Sequence, residues 1–217
     1  MKQFLAKLTV GLGLALAAPL ALPAAAHAAP APNAMSASDA ATTAALVARA
    51  DTLPVSIDPK ASVRTGAASP LASYGSYPTR KGVILVTPDA FKNLIPTGHA
   101  AIIYSSSTVV EAVSGGVVTG SNNWNSTKSQ AYAVTTKATS SAQDATAAGW
   151  AYGQRGKPYN WNYFNTGTRN SFYCSHLVWA SYKDNFGIDL NTSAYWGAVH
   201  PMELVNNSQV SLLWRKS

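Results

Sequence analysis

Cys174 is the one cysteine in 217 residues, and it stands in the run Phe172-Tyr173-Cys174-Ser175-His176-Leu177-Val178-Trp179. A thiol attacks a carbonyl as its thiolate, and a free cysteine titrates near about 8.5, so a nucleophilic cysteine needs something that favours its anion. A helix N-terminus does this, and so does a neighbouring imidazolium. The helical pattern begins at Cys174, which puts the sulfur in a first turn where unpaired N–H groups and the helix dipole stabilise negative charge. The same N–H groups could hold the oxyanion of a tetrahedral intermediate, that of Cys174 first, with Ser175 beside it. The alternative is a buried structural cysteine, a common fate of a free thiol.

A general base must come from elsewhere in the chain. His176 lies two residues after Cys174, about 200° around the helix axis, so it points away from the sulfur and reads as a surface histidine. His200 precedes Pro201 in a loop with no partner in view. His99 follows Gly98 and opens a strand, a rigid place for a base. A catalytic imidazole also needs a group on its second nitrogen. Only two glutamates are available, Glu111 and Glu203. Glu111 lies inside Val109-Val110-Glu111-Ala112-Val113, on the strand that would partner that of His99. If the Ser105–Ser107 loop has three residues, Ala101 faces Glu111, and His99 and Glu111 are diagonal neighbours on one face. A two- or four-residue loop would send them to opposite faces. Tyr159, in Gly156-Lys157-Pro158-Tyr159-Asn160-Trp161, could bring a phenol to the site or could pack over the core.

The elements that must position these groups follow from the pattern. Val83–Val86, Ala100–Tyr104, Thr108–Val113, Val117–Thr119, Ala131–Thr136 and Val210–Trp214 read as strands. Ser140–Gln154 and Cys174–Asn185 read as helices, with helical turns expected at Asp89–Leu94 and Pro201–Val205. On the second helix Cys174, Leu177, Val178, Ser181 and Tyr182 share the face expected to be buried. Helices with a meander of strands give an α+β fold, the Cys174 helix packed on an antiparallel sheet.

The N-terminus reads as a secretory signal. Lys2 and Lys7 precede an apolar run, and Ala26-His27-Ala28 is a small-x-small cleavage site, giving a leader of residues 1–28. Pro19 and Pro23 interrupt the run, which argues against an uncleaved anchor, and no later stretch could span a bilayer. Losing two lysines lowers the formal charge from +7 to +5, which suits an anionic surface such as a cell wall. The basic residues form no stripe, so nucleic acid is not an expected partner. Residues 29–78, rich in Ala, Ser, Thr and Pro, read as a spacer or pro-segment, largely disordered, in which residues 36–50 could form a short Ala-rich helix with too few large side chains for a core. Residues 79–217 form the catalytic domain, about 140 residues and large enough for a normal core. The few histidines and one cysteine make no zinc-ligand spacing, so no metal or other cofactor is expected, and the chain is expected to act as a monomer.

Gly156-Lys157-Pro158-Tyr159, then Cys174-Ser175 and Leu177-Val178, resemble the NlpC/P60 superfamily of papain-like cysteine hydrolases. Ordinary members place the nucleophile before the histidine. Here Gly98-His99-Ala100-Ala101-Ile102 and Val110-Glu111-Ala112 come first, which resembles the circularly permuted YiiX-like branch over roughly residues 80–205. The resemblance implies a papain-like fold with Cys174 as nucleophile, His99 as base and Glu111 as orienting acid. With export and positive charge it suggests an amide in peptidoglycan stem peptides, hydrolysed outside the cell or in the wall or periplasm. Tyr173 stands where ordinary members carry Asp, so their substrate preference does not transfer. Cys174-x-His176 is also similar to the lecithin:retinol acyltransferase-like relatives, which implies lipid acyl transfer as a second reading. A wall-binding module with an inactive site is the third.

Overall fold

The computed structural model describes residues 37–61, 74–89, 98–192 and 194–217. The expected leader and most of the expected turn at residues 89–94 lie outside them. In chain order the elements are α1 (Ala37–Thr52), β1 (Ile84–Thr87), β2 (His99–Ser105), β3 (Thr108–Val113), β4 (Gly116–Ser121), α2 (Trp124–Thr127), β5 (Ala131–Thr136), α3 (Ser141–Gly153), α4 (Cys174–Phe186), α5 (Pro201–Asn206) and β6 (Val210–Lys216). The strands form one antiparallel sheet in the order β4-β3-β2-β1-β5-β6. The fold is α+β.

Strand alternation divides the core between the two faces of the sheet. Ile84, Val86, Ala100, Ile102, Val110, Tyr132 and Val134 pack with Ala147, Ala151, Leu177, Val178 and Met202 of α3, α4 and α5. Val83, Leu85, Ala101, Ile103 and Val109 point the other way and gather around Trp124 and Trp214. α3 begins at a capping box, in which the Ser140 hydroxyl accepts from Gln143 N and the Gln143 side chain accepts from Ser140 N. α4 stops at Gly187, whose φ of 68° is the left-handed conformation that glycine adopts without a Cβ clash.

The hairpin between β2 and β3 differs from the simple three-residue loop. Ser105 pairs with Thr108, leaving a two-residue turn, yet Ala101 still faces Glu111. The register shifts between Ile103 and Ser105, so Tyr104 is an extra residue on β2, a β-bulge. A two-residue turn alone would have separated His99 from Glu111. The bulge restores the parity.

The segment expected to be a disordered spacer also differs, because residues 37–61 pack as part of the domain. The small side chains of α1 let it lie against the body, with Thr43 and Ala50 buried and Leu46, Val47, Leu53 and Val55 packed on the first core cluster. Val55 forms a bridge with Leu212, and Ser56 N donates to Leu212 O. Lys60 then enters a polar pocket, donating to Asp144 Oδ2 at 3.0 Å and to Thr136 O at 2.5 Å. Asp144 is fully buried and also accepts from Arg80 at 2.7 Å, so the two cations share one carboxylate.

Candidate active site

Cys174 opens α4, and Tyr173 precedes it in extended conformation with no side-chain cap on the helix. The first-turn amides are therefore left for the sulfur. The backbone N–H groups of Ser175 and of Ala100 both donate to it. Ala100 comes from β2, so the strand that carries His99 also supplies an amide to the nucleophile.

His99 starts β2 and is fully buried. Its Nε2 lies 2.6 Å from Glu111 Oε2, and the ring also hydrogen-bonds Cys174. With Nε2 engaged by the carboxylate, Nδ1 is the nitrogen left to exchange a proton with the sulfur. Trp124 of the short α2 stacks on the imidazole, centroids 5.7 Å apart. Gly120 on β4 backs the carboxylate so closely that a Cβ there would fall 2.1 Å from Glu111 Oε1.

The charges favour an ion pair. Burial alone would push His99 down, but the hydrogen bond and negative charge of Cys174, and after them those of Glu111, outweigh it and raise the imidazole to about 9. Burial alone would push the Cys174 thiol up. The hydrogen bond and charge of His99, with the Ala100 and Ser175 amides, outweigh that and bring it below its ordinary value. Thiolate and imidazolium therefore coexist from the lowered thiol value up to about pH 9.

Tyr159, Tyr163 and Tyr173 all feel the charge at Cys174. The Tyr159 hydroxyl is buried and makes no hydrogen bond of normal geometry, although the Tyr163 phenol is near it. Burial and the Cys174 anion keep it protonated. Tyr173 joins the two loops flanking the nucleophile, donating to Tyr163 O at 3.1 Å and accepting from Val199 N at 2.8 Å.

The structure thus brings together Cys174, His99, Glu111 and Tyr159. Ser175 gives the site its backbone N–H, while its buried Oγ donates to Val199 O at 2.6 Å and lies 4.0 Å from the Cys174 sulfur. His176 does point away from the sulfur, but it is buried. It packs against Phe172, Tyr173 and Trp179 and meets Thr166 O and Arg169 with its Nε2, because α4 is covered on all sides through Tyr182. His200 has partners after all. It caps α5, Nδ1 accepting from Met202 N while its own N–H donates to Glu203, and its ring stacks on Tyr195. Trp124, Gly120 and the Ala100 amide went unread in the sequence, since each acts through a fold contact rather than a local motif. No group of three or more His, Cys, Asp or Glu among the described residues is placed to hold a metal ion.

Comparison with known proteins bears on the family and the fold. The model of the permuted papain-like amidase enzymes, the YaeF/YiiX or C92 family, matches residues 84–212. Protein YycO of Bacillus subtilis (strain 168) is 30% identical over 120 residues, covering 54% of this chain and 48% of that protein. The chain therefore spans about half the length of that relative. The crystal structure of metalloprotein YiiX from Escherichia coli O157:H7 superposes with a TM-score of 0.50 at 16% identity, covering 62% of this chain and 96% of that one, a likeness of fold.

Proposed function

The chain belongs to the permuted papain-like amidase family, and from that premise we propose that it is an exported cysteine hydrolase that cleaves an amide bond in peptidoglycan stem peptides. The observation that carries this reading is the continuous line from Glu111 through His99 to the Cys174 sulfur, with the sulfur at a helix N-terminus. The thiolate attacks the amide carbonyl. Its oxyanion is held by the Cys174 backbone N–H and by the Tyr159 hydroxyl, which makes no hydrogen bond of normal geometry within the chain. His99 gives its proton to the leaving amine, and the C–N bond breaks to leave a thioester on Cys174. The neutral imidazole then takes a proton from water, whose oxygen attacks the thioester, and the acid product leaves as the thiolate is restored. Glu111 holds the ring in place and stabilises its charge in both halves.

Export is supported by the leader-like residues 1–28, and a wall substrate by the net positive charge. Incubation with isolated cell wall should release new amine termini, read by mass spectrometry, and Cys174→Ala should abolish them. No release by the wild-type chain anywhere from about pH 5 to pH 9 overturns the proposal.

A second reading, acyl transfer to or from lipid, is favoured by the tyrosines around the sulfur, which suit an uncharged acyl group. Its signature is a fatty acyl adduct on Cys174 after exposure to lipid vesicles.

A further inference from the structure

One residue holds both chain neighbours of the nucleophile. Val199 N donates to the Tyr173 hydroxyl at 2.8 Å, and Val199 O accepts from Ser175 Oγ at 2.6 Å. Ser175 in turn gives its backbone N–H to the Cys174 sulfur. The place of Val199 therefore sets how the first turn of α4 presents that amide. The turn leading into Val199 is not self-supporting. It is closed by Ala198 N on Tyr195 O, but Trp196 inside it is held at φ 50°, the one non-glycine residue with positive φ among the described residues. A conformation of that kind persists only where its surroundings fix it.

What fixes it is α1. Tyr195 and His200 stand at the two ends of the turn, their ring centroids 4.1 Å apart in a stack, and both reach Thr43. His200 Nδ1 accepts from Met202 N, so the ring proton is on Nε2, which donates to Thr43 Oγ1 at 3.4 Å. The Thr43 hydroxyl donates to the Tyr195 hydroxyl at 2.6 Å, and that hydroxyl donates to Asp39 O at 3.2 Å. Each of these three side chains gives one proton and accepts another, so the order of donors is consistent from end to end. Thr43, Tyr195 and His200 are all buried, so a bond lost there is not readily remade with water. Leu46 O adds a further tie, accepting from Asn206 Nδ2 at 2.9 Å. Thr43 belongs to residues 37–61, which lie ahead of the residues 84–212 that the family model matches.

We infer that Thr43 is a positioning residue for Cys174, acting through Tyr195, His200 and Val199 from a segment outside the family match. The inference takes Cys174 as the nucleophile of the proposed reaction. Alkylation of Cys174 by iodoacetamide is followed against pH for the full chain unaltered and for Thr43→Val, Thr43→Ser, Tyr195→Phe and Lys60→Met, with melting temperature, and with kcat and KM on isolated wall. In Thr43→Val the acid limb of the alkylation profile should move up by about half to one pH unit, as the sulfur loses hold of the Ser175 amide, and kcat should fall roughly 3- to 10-fold at unchanged KM, the scale of one hydrogen bond. Thr43→Ser keeps the hydroxyl and should restore both. Tyr195→Phe keeps the ring stack and should shift the limb in the same direction by less; it carries the test if Thr43→Val does not fold. Lys60→Met loosens the same segment at Asp144 and should lower the melting temperature without moving the limb. A limb that stays in place in Thr43→Val and Tyr195→Phe, one that moves equally in Thr43→Ser, or one that follows melting temperature in Lys60→Met would each overturn the inference. Alkylation needs no substrate, so wall that stays uncut counts against the proposed reaction alone.

Discussion

Glu111→Gln removes one charge from the site and keeps the shape that fits against Gly120. His99 is raised from 6.5 to about 9 against the opposing effect of burial. Two anions supply that rise, the Cys174 sulfur first and Glu111 second. Loss of the carboxylate should cost on the order of 1–2 kcal/mol, a factor of roughly ten in the protonation equilibrium. The sign follows from the charge: without the carboxylate His99 gives up its proton at lower pH. The alkaline limb of the pH–activity curve, set by loss of the His99 proton near about pH 9, should move down by about one pH unit. The acid limb, set by the thiol, should move far less. Titration of the His99 ring by nuclear magnetic resonance reads this without a substrate, and the kcat/KM profile on released wall amines reads it with one. An unchanged His99 titration, or an alkaline limb that moves upward, would show that Glu111 does not govern the charge on His99, and the proposed line of three groups would fail.

Gly120→Ala should imitate that variant without changing any charge, because the added methyl must displace Glu111 Oε1; the expected sign is a fall in activity and a His99 titration shifted downward while the fold persists by circular dichroism. Tyr159→Phe removes a buried hydroxyl whose approach to the Tyr163 phenol falls short of a normal hydrogen bond, so thermal unfolding should change little while kcat falls about 10- to 100-fold; an equal loss of both would make Tyr159 structural only. Lys60→Met takes one of two cations from the buried Asp144 and should cost ~1–3 kcal/mol, read as a lower midpoint in denaturant. Stability should peak near neutral pH. The raised His99 contributes stability present in full below about 6.5 and lost as pH rises through about 9, whereas His176 and His200, depressed to about 4 and about 3, contribute stability lost as pH falls below about 6.5 toward those values. A melting temperature that rises steadily from acid to alkali would contradict this assignment.

Local pattern made much of the architecture legible. The strands around His99 and Glu111 and the helix begun by Cys174 declare themselves through β-branched runs and an i, i+3, i+4 stripe, and these elements carry the reacting atoms. What was hidden depends on contacts between distant segments. Residues 37–61 look like a spacer because alanines signal no core, yet small side chains are what let α1 lie close to the body, and one lysine reaching Asp144 fixes its end. His176 looks exposed because helical geometry gives its direction from the sulfur and says nothing of what covers that side. Trp124 belongs to a four-residue helix in an Asn- and Ser-rich stretch, too short for any periodicity to mark. The hairpin register could be posed as a question of loop length, but the answer lies in an irregularity that leaves no trace in residue type.

The bulge at Tyr104 makes the span between His99 and Glu111 an arithmetic constraint on heredity. A change of one residue in the turn alone swaps inside for outside along the strand that follows. Removing Tyr104 itself leaves Ala101 opposite Glu111, because the turn and the rest of the ladder then agree. Descendants of this hairpin can thus lose the bulge residue alone, whereas a one-residue step in the turn must be answered by one in the strand. A copy whose turn carries an unanswered step should also have lost its acid, its base, or its chemistry.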